Sequence, residues 1–217
     1  MHIAYAKASE WAKHNSFGKA WRLERMKQFI ALVKPPSNAK IIDLGGHLPM
    51  WQWFEHDFEV TLVNLPGSYK TSGKVGKYTL VEGDATNLSD SFEDRSFDIV
   101  FSNSVIEHVG DESKQADFAS EVMRLGKAYW VQTPSNYWPI EPHTGVIGYW
   151  LLPEFARQNL HKSWEKELPV WTEMIRGTRL LTRNRMRELF PDGNFYIERK
   201  LLLEKSYSAY KTWKADT

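Results

Sequence analysis

The residues best suited to chemistry fall in four short runs. "IIDLGG" sets Asp43 just before Gly45 and Gly46, and His47 and Pro49 follow. Glycines after a strand allow a turn with positive φ, or a close approach of ligand to backbone. Asn64 stands 19 residues beyond Gly45, near the spacing at which nucleotide-binding βαβ units meet ribose hydroxyls. "EGDA" supplies Asp84, a carboxylate able to accept from an exocyclic adenine amine. "SNSVIEHVGD" offers Ser102, Asn103, Glu107 and His108. An imidazole is suited to removing a proton near neutral pH. In "SNYWPIEPHTGVIGYW", Glu141 and His143 flank Pro142 among Tyr137, Trp138, Tyr149 and Trp150. Rings beside a carboxylate and an imidazole suit a sugar, whose faces stack while its hydroxyls are hydrogen-bonded. Each run also has a plain structural alternative: a tight turn, a loop-fixing histidine, or a stiff aromatic cap.

These residues need a frame. Strands are expected at 39–46, 58–67, 77–85, 96–104 and 127–135, each apolar and bounded by turn residues. Residues 49–56 read as helical and 67–77 as a loop or single turn. Residues 111–125 form an acid-started helix that stops at Gly126. Such alternation predicts a parallel, doubly wound sheet. It brings successive strand ends, and their polar groups, to one crevice. Residues 1–35 read as a helical cap, with Gly18 separating two short helices and Pro35–Pro36 ending the second. Trp21, Met26, Phe29 and Val33 would share one face. After Pro134 the pattern is lost, and 134–170 read as an aromatic, Pro-rich substrate insert. A helix over 182–190, capped by Thr182, precedes two closing strands in 194–211.

The order "IIDLGG", "VTLVN", "EGDA", "FDIVFSNSVIEHV", "YWVQTPS" resembles the class I S-adenosylmethionine-dependent methyltransferases. The nearest subgroup is the small-molecule one with "EHV" after strand four. The resemblance covers residues 39–135, and "LLLEKSYSAYK" looks like the antiparallel pair closing that sheet. It implies a Rossmann-like, seven-stranded, mostly parallel sheet with an antiparallel last strand, and S-adenosylmethionine as cofactor. By resemblance Asp43, Gly45 and Gly46 hold the methionine portion; the His47 side chain, which stands where the family has glycine, is expected to help hold its carboxyl end. Asn64 meets the ribose, Asp84 and Ala85 the adenine, and Ser102 and Asn103 lie beneath the sulfonium. The family usually has more glycine where this chain has His47 and Pro49, and an acid where it has Asn64. Some relatives that methylate hydroxyls hold a divalent cation with a Glu–His pair and an earlier Glu. Ser104 takes that earlier place here, so no metal site is assigned. "TPSNYWPIEPHTGVIGYWLLP" resembles a segment of methyltransferases found with bacterial polysaccharide biosynthesis, with Ser135 for the more usual Asn.

Composition narrows the rest. The chain has 217 residues, a formal net charge of +1 and no cysteine. Near-neutral charge argues against a nucleic-acid partner, and the missing thiols exclude disulfides and a cysteine nucleophile. No run is long enough for a membrane span or a signal peptide, so a cytoplasmic protein is expected. Five arginines within 176–187 are either solvated helix faces or a site for an anionic acceptor. The reading is one domain over 1–217: cap 1–35, cofactor core 39–133, insert 134–170, closing helix and strands 171–217. Its expected activity is O-methylation of a sugar or glycan hydroxyl, with His108 or His143 as general base and Glu107 and Glu141 orienting. The alternatives are a lipid, quinone-like or other secondary-metabolite acceptor, and a cofactor-binding relative without activity. Oligomeric state is not legible.

Overall fold

The computed structural model describes residues 16–69, 72–139 and 146–215. Its centre is an eight-stranded sheet: β1 (Lys40–Leu44), β2 (Glu59–Asn64), β3 (Gly73–Val75), β4 (Tyr78–Glu82), β5 (Phe97–Asn103), β6 (Gly126–Pro134), β7 (Asn194–Lys200) and β8 (Leu203–Lys211). The order is β3-β4-β2-β1-β5-β6-β8-β7. Strands β4, β2, β1, β5 and β6 pair in parallel, and β8 runs antiparallel between β6 and β7. Seven of these strands are the expected ones. The eighth, β3, forms a short antiparallel hairpin with β4, within the stretch read as a loop. Its three residues are all exposed, so it has no apolar pattern to reveal it.

Helices cover both faces. On one side α1 (Ser16–Val33) buries Met26, Phe29 and Val33 against Ile41, Phe101 and Trp130, and α2 (Leu48–Gln52) adds Trp51. On the other, α3 (Glu112–Leu125) lays Phe118, Val122 and Leu125 over Ile42, Val100 and Val131. Asp111 caps α3 by accepting from the backbone N–H of Lys114. Three expectations need correction. Gly18 lies inside α1 and does not break it. Trp21 is off the buried face, 40% exposed, with the Lys205 ammonium 4.4 Å from its ring centroid. α2 is also shorter than the helix expected over 49–56.

The insert has its own small core. α4 (Glu154–Glu165) and α5 (Pro169–Gly177) pack as a pair, with Tyr149, Trp164 and Ile175 buried between them. This lobe therefore runs past residue 170 to Gly177. The chain returns through Thr178 and Arg179 to α6 (Arg183–Leu189), which Thr182 caps as expected.

Candidate active site

Register fixes the level of the strand ends. Leu44 is opposite both Val63 and Ser102, Asn64 is opposite Glu82, and Asn103 is opposite Gln132. The predicted residues of β1, β2 and β5 thus reach one carboxyl edge, where open α/β sheets bind ligands.

The glycine loop is shaped by its own packing. Asp43 is 1% exposed, and its Oδ2 accepts from the Trp51 indole N–H at 2.7 Å. Burial pushes this carboxyl up to about 7, with the Trp51 bond opposing the rise. A Cβ on Gly46 would stand 2.4 Å from Asp43 Oδ2. A Cβ on Gly45, where φ is 75°, would stand 2.4 Å from Val105. Only glycine fits at either position. Pro49 falls in the first turn of α2, where no N–H is needed. His47 is exposed and occupies the N-cap position without capping through its side chain.

Asn64 braces this loop from the next strand. Its amide donates to Gly46 O at 2.8 Å and to the Tyr69 hydroxyl at 2.6 Å. Because a carbonyl can only accept, the amide orientation is fixed, and Oδ1 remains as an acceptor. Asp84 makes an Asx turn: one oxygen accepts from both the N–H and the hydroxyl of Thr86, each at 2.8 Å. Asp84 itself is exposed and Ala85 half-buried beside it. Ser102 is buried and donates to Leu44 O at 3.0 Å, so its hydroxyl ties β5 to β1. The Asn103 carbonyl accepts from Arg25 at 2.6 Å. That arginine also pairs with Glu198, which Lys205 and Ser206 bind as well. These cations hold the Glu198 carboxyl at about 2 despite its burial. Sequence reasoning missed Arg25; its charge on a helix shared with Met26 and Phe29 gave no sign of its partner.

Glu107 and His108 sit on a single 3-10 turn after β5. Glu107 is fully buried and its Oε2 accepts from the Thr133 hydroxyl at 2.9 Å. His108 Nδ1 lies 3.2 Å from the Thr178 hydroxyl, which donates to Met174 O. With its hydrogen spent there, Thr178 accepts from Nδ1–H, and Nε2 is the basic nitrogen. Nε2 is 3.9 Å from Glu107 Oε1. The backbone N–H of Arg179 closes the strap by donating to Glu107 O at 2.7 Å. Thr178 was also missed, since nothing local marks the residue that ends α5. Ser104 donates to Gln132, and no three His, Asp or Glu side chains converge to suit a metal ion among the described residues. Glu141 and His143 lie outside the described residues.

Two features depart from expectation. Tyr149 is not open to a ligand: it is lobe core, 2% exposed, with its hydroxyl 2.6 Å from His161 Nε2. The arginines of 176–187 are largely neutralised at home. Arg176 pairs with Glu165, Arg183 with Glu204 and Arg185 with Glu188. Two surface grooves of about 540 and 520 Å³ open elsewhere, the second lined by Lys40, Glu59 and Phe97 at the amino ends of the strands. Neither touches the residues above, and the strand-end chemistry is the better guide to the site.

Comparison with known proteins agrees with this geometry. Residues 50–128 match a family described as a methyltransferase domain. A methyltransferase of Archaeoglobus fulgidus, described as S-adenosylmethionine-dependent, has a similar structure, with TM-score 0.61 and 13% identity over 95% of this chain and 100% of that one. The chain carries the class I methyltransferase fold. A putative methyltransferase of the same cofactor from Methanococcus maripaludis aligns at TM-score 0.53 and 12% identity, covering 100% and 94% of the two chains. A protein described as a putative methyltransferase from an antibiotic biosynthesis pathway of Anabaena variabilis aligns at TM-score 0.53 and 16% identity, covering 81% and 64% of the two chains. No curated protein matches the sequence. The methyltransferase-domain match and these neighbours imply S-adenosylmethionine as cofactor, and the residues fit it. The glycine turn admits no Cβ, Asn64 keeps an outward acceptor, and Asp84 has an exposed carboxylate oxygen.

Proposed function

We propose that the protein transfers a methyl group from S-adenosylmethionine to a hydroxyl of a sugar or glycan. The observation that carries this reading is the His108 tautomer. Thr178 holds Nδ1–H, leaving Nε2 as the base beside the buried Glu107 carboxylate. When bound, the cofactor supplies a methyl carbon already activated by its sulfonium. An acceptor hydroxyl aligned with that methyl would give its proton to His108 Nε2. The resulting imidazolium is stabilised by Glu107. Asn64 Oδ1 would receive the ribose hydroxyls, and Asp84 the adenine amine. Tyr137, exposed, and the half-buried Trp138 are rings of the insert that could stack on a sugar face. Glu141 and His143 remain candidates for orienting the acceptor, or for an alternative base.

An anionic group on the acceptor would meet Arg22. It is half-buried and has no acid partner among the described residues. Its position follows from α1: Phe29 packs on Phe101, Arg25 reaches Asn103 two residues on, and Arg22 lies one turn further, beyond the strand end. A panel of neutral glycans, uronic-acid glycans, lipids and quinones assayed with labelled cofactor tests the reading. Transfer to a glycan supports it, and transfer only to non-sugar acceptors overturns the substrate class. Full turnover in both His108→Ala and His143→Ala would remove the base. Calorimetry with the cofactor separates an inactive binder, which gives heat without transfer.

A further inference from the structure

The hairpin between β7 and β8 carries two leucines where backbone chemistry favours Asn-Gly. Lys200 pairs with Leu203, so Leu201 and Leu202 form a two-residue loop. Their φ angles are 49° and 66°. Positive φ at both positions defines the tight hairpin turn that selects Asn and Gly, and it strains a bulky side chain. The same leucines are 90% and 96% exposed. They serve neither the turn nor the core.

Topology places this loop. Ser206 of β8 lies opposite Pro134, the carboxyl end of β6, and the three residues of β8 before it run beyond that end, so the tip leaves the edge that carries Asn64, Asn103 and His108. Tyr137, 66% exposed, stands near its base, where Ser135 bonds to Lys205 O and the Tyr207 hydroxyl. Among the described residues, Arg183, Arg199, Lys200 and Lys205 surround the hairpin against Glu198 and Glu204. Leu151 and Phe155, also well exposed, belong to the lobe that leaves the same edge.

We propose that the Leu201–Leu202 tip inserts into an anionic lipid surface and turns the methyl-transfer edge toward it. Two protruding side chains offer far less than the roughly 1,000 Å² that a specific protein interface needs. A bilayer accepts so small a wedge when cations beside it meet anionic headgroups, since two weak signals together hold a protein reversibly. The surplus of cations at the hairpin base supplies the second signal.

Co-sedimentation of the full chain with vesicles tests this, comparing phosphatidylcholine alone with phosphatidylcholine containing phosphatidylglycerol. The protein should sediment with the anionic vesicles, and less so as salt rises. The pair Leu201→Asn and Leu202→Gly should weaken this at least tenfold while raising the melting temperature, because it suits the turn. Lys200→Gln should weaken it in part. A Leu202→Trp variant, which keeps an apolar tip, should shift its emission to the blue on anionic vesicles. Equal sedimentation of the Asn-Gly variant, or no blue shift, overturns the proposal. So does loss of a dimer in that variant without any vesicle binding by the parent chain, which would assign the tip to a second copy.

Discussion

At the residue scale, Asn64 has two jobs that a carboxylate could not share. Its amide binds Gly46 O and the Tyr69 hydroxyl, which leaves Oδ1 as the acceptor proposed to meet the ribose. Asn64→Asp places a carboxylate oxygen against the Gly46 carbonyl. The expected result is cofactor affinity about tenfold weaker, or ~1.4 kcal/mol, read by calorimetry. Affinity equal to or above the parent's would show that the loop does not depend on this bond. Thr178 allows a similar argument. Thr178→Val removes the acceptor that holds His108 Nδ1–H, so the imidazole loses its preferred tautomer. We expect kcat to fall about tenfold, with KM for the cofactor unchanged and the acidic limb of the pH–rate profile, which His108 sets as a base, displaced. Thr178→Ser should restore most of the rate. An unchanged pH profile in the valine variant would reduce Thr178 to a packing residue.

At the element scale, the glycine turn shows what sequence could and could not reveal. A strand, an acid and two glycines were legible as a pattern. The reason for the glycines was not, because it lies in Val105 and in the Asp43 side chain folded beneath them. Gly46→Ala should therefore cost about 1–3 kcal/mol of stability through overpacking, measured by urea unfolding with and without cofactor. A variant as stable as the parent would mean that the loop relaxes freely around Asp43. The five parallel strands were readable for a different reason: their near-continuous apolar runs are the mark of strands buried on both faces. β3 had no such mark, and its pairing is visible only once β4 is in place. Gly18 was misread because a lone glycine in a helix is a modest penalty that the packing of Met26, Phe29 and Val33 overrides. The arginine run left two readings open, a solvated helix face or an anionic site. Its carboxylate partners are Glu165, at the end of α4, Glu204 of β8 and Glu188 in α6. Two of those three partners come from other elements, which a local reading cannot see.

At the scale of the whole molecule, Asp43 couples the cofactor edge to folding. Its carboxyl is raised from about 3.8 in the open chain to about 7 in the folded protein, chiefly by burial. Between those values the folded state binds a proton that the unfolded state has released. The stabilisation from this group is therefore full below about pH 4 and is lost as pH rises through about 7. At roughly 1.4 kcal/mol per pH unit, the span is on the order of 4 kcal/mol as an upper bound. Other groups oppose it, Glu198 most clearly: its carboxyl is held near 2 and gives stability that disappears in acid. The separable quantity is the difference between parent and Asp43→Asn. That variant keeps an acceptor for the Trp51 indole and does not titrate. Its stability relative to the parent should rise steadily from pH 4 to pH 7 and then level off, as followed by urea unfolding at each pH. A constant difference across that range would mean that Asp43 titrates as an ordinary carboxylate, and that the glycine turn does not shield it from water.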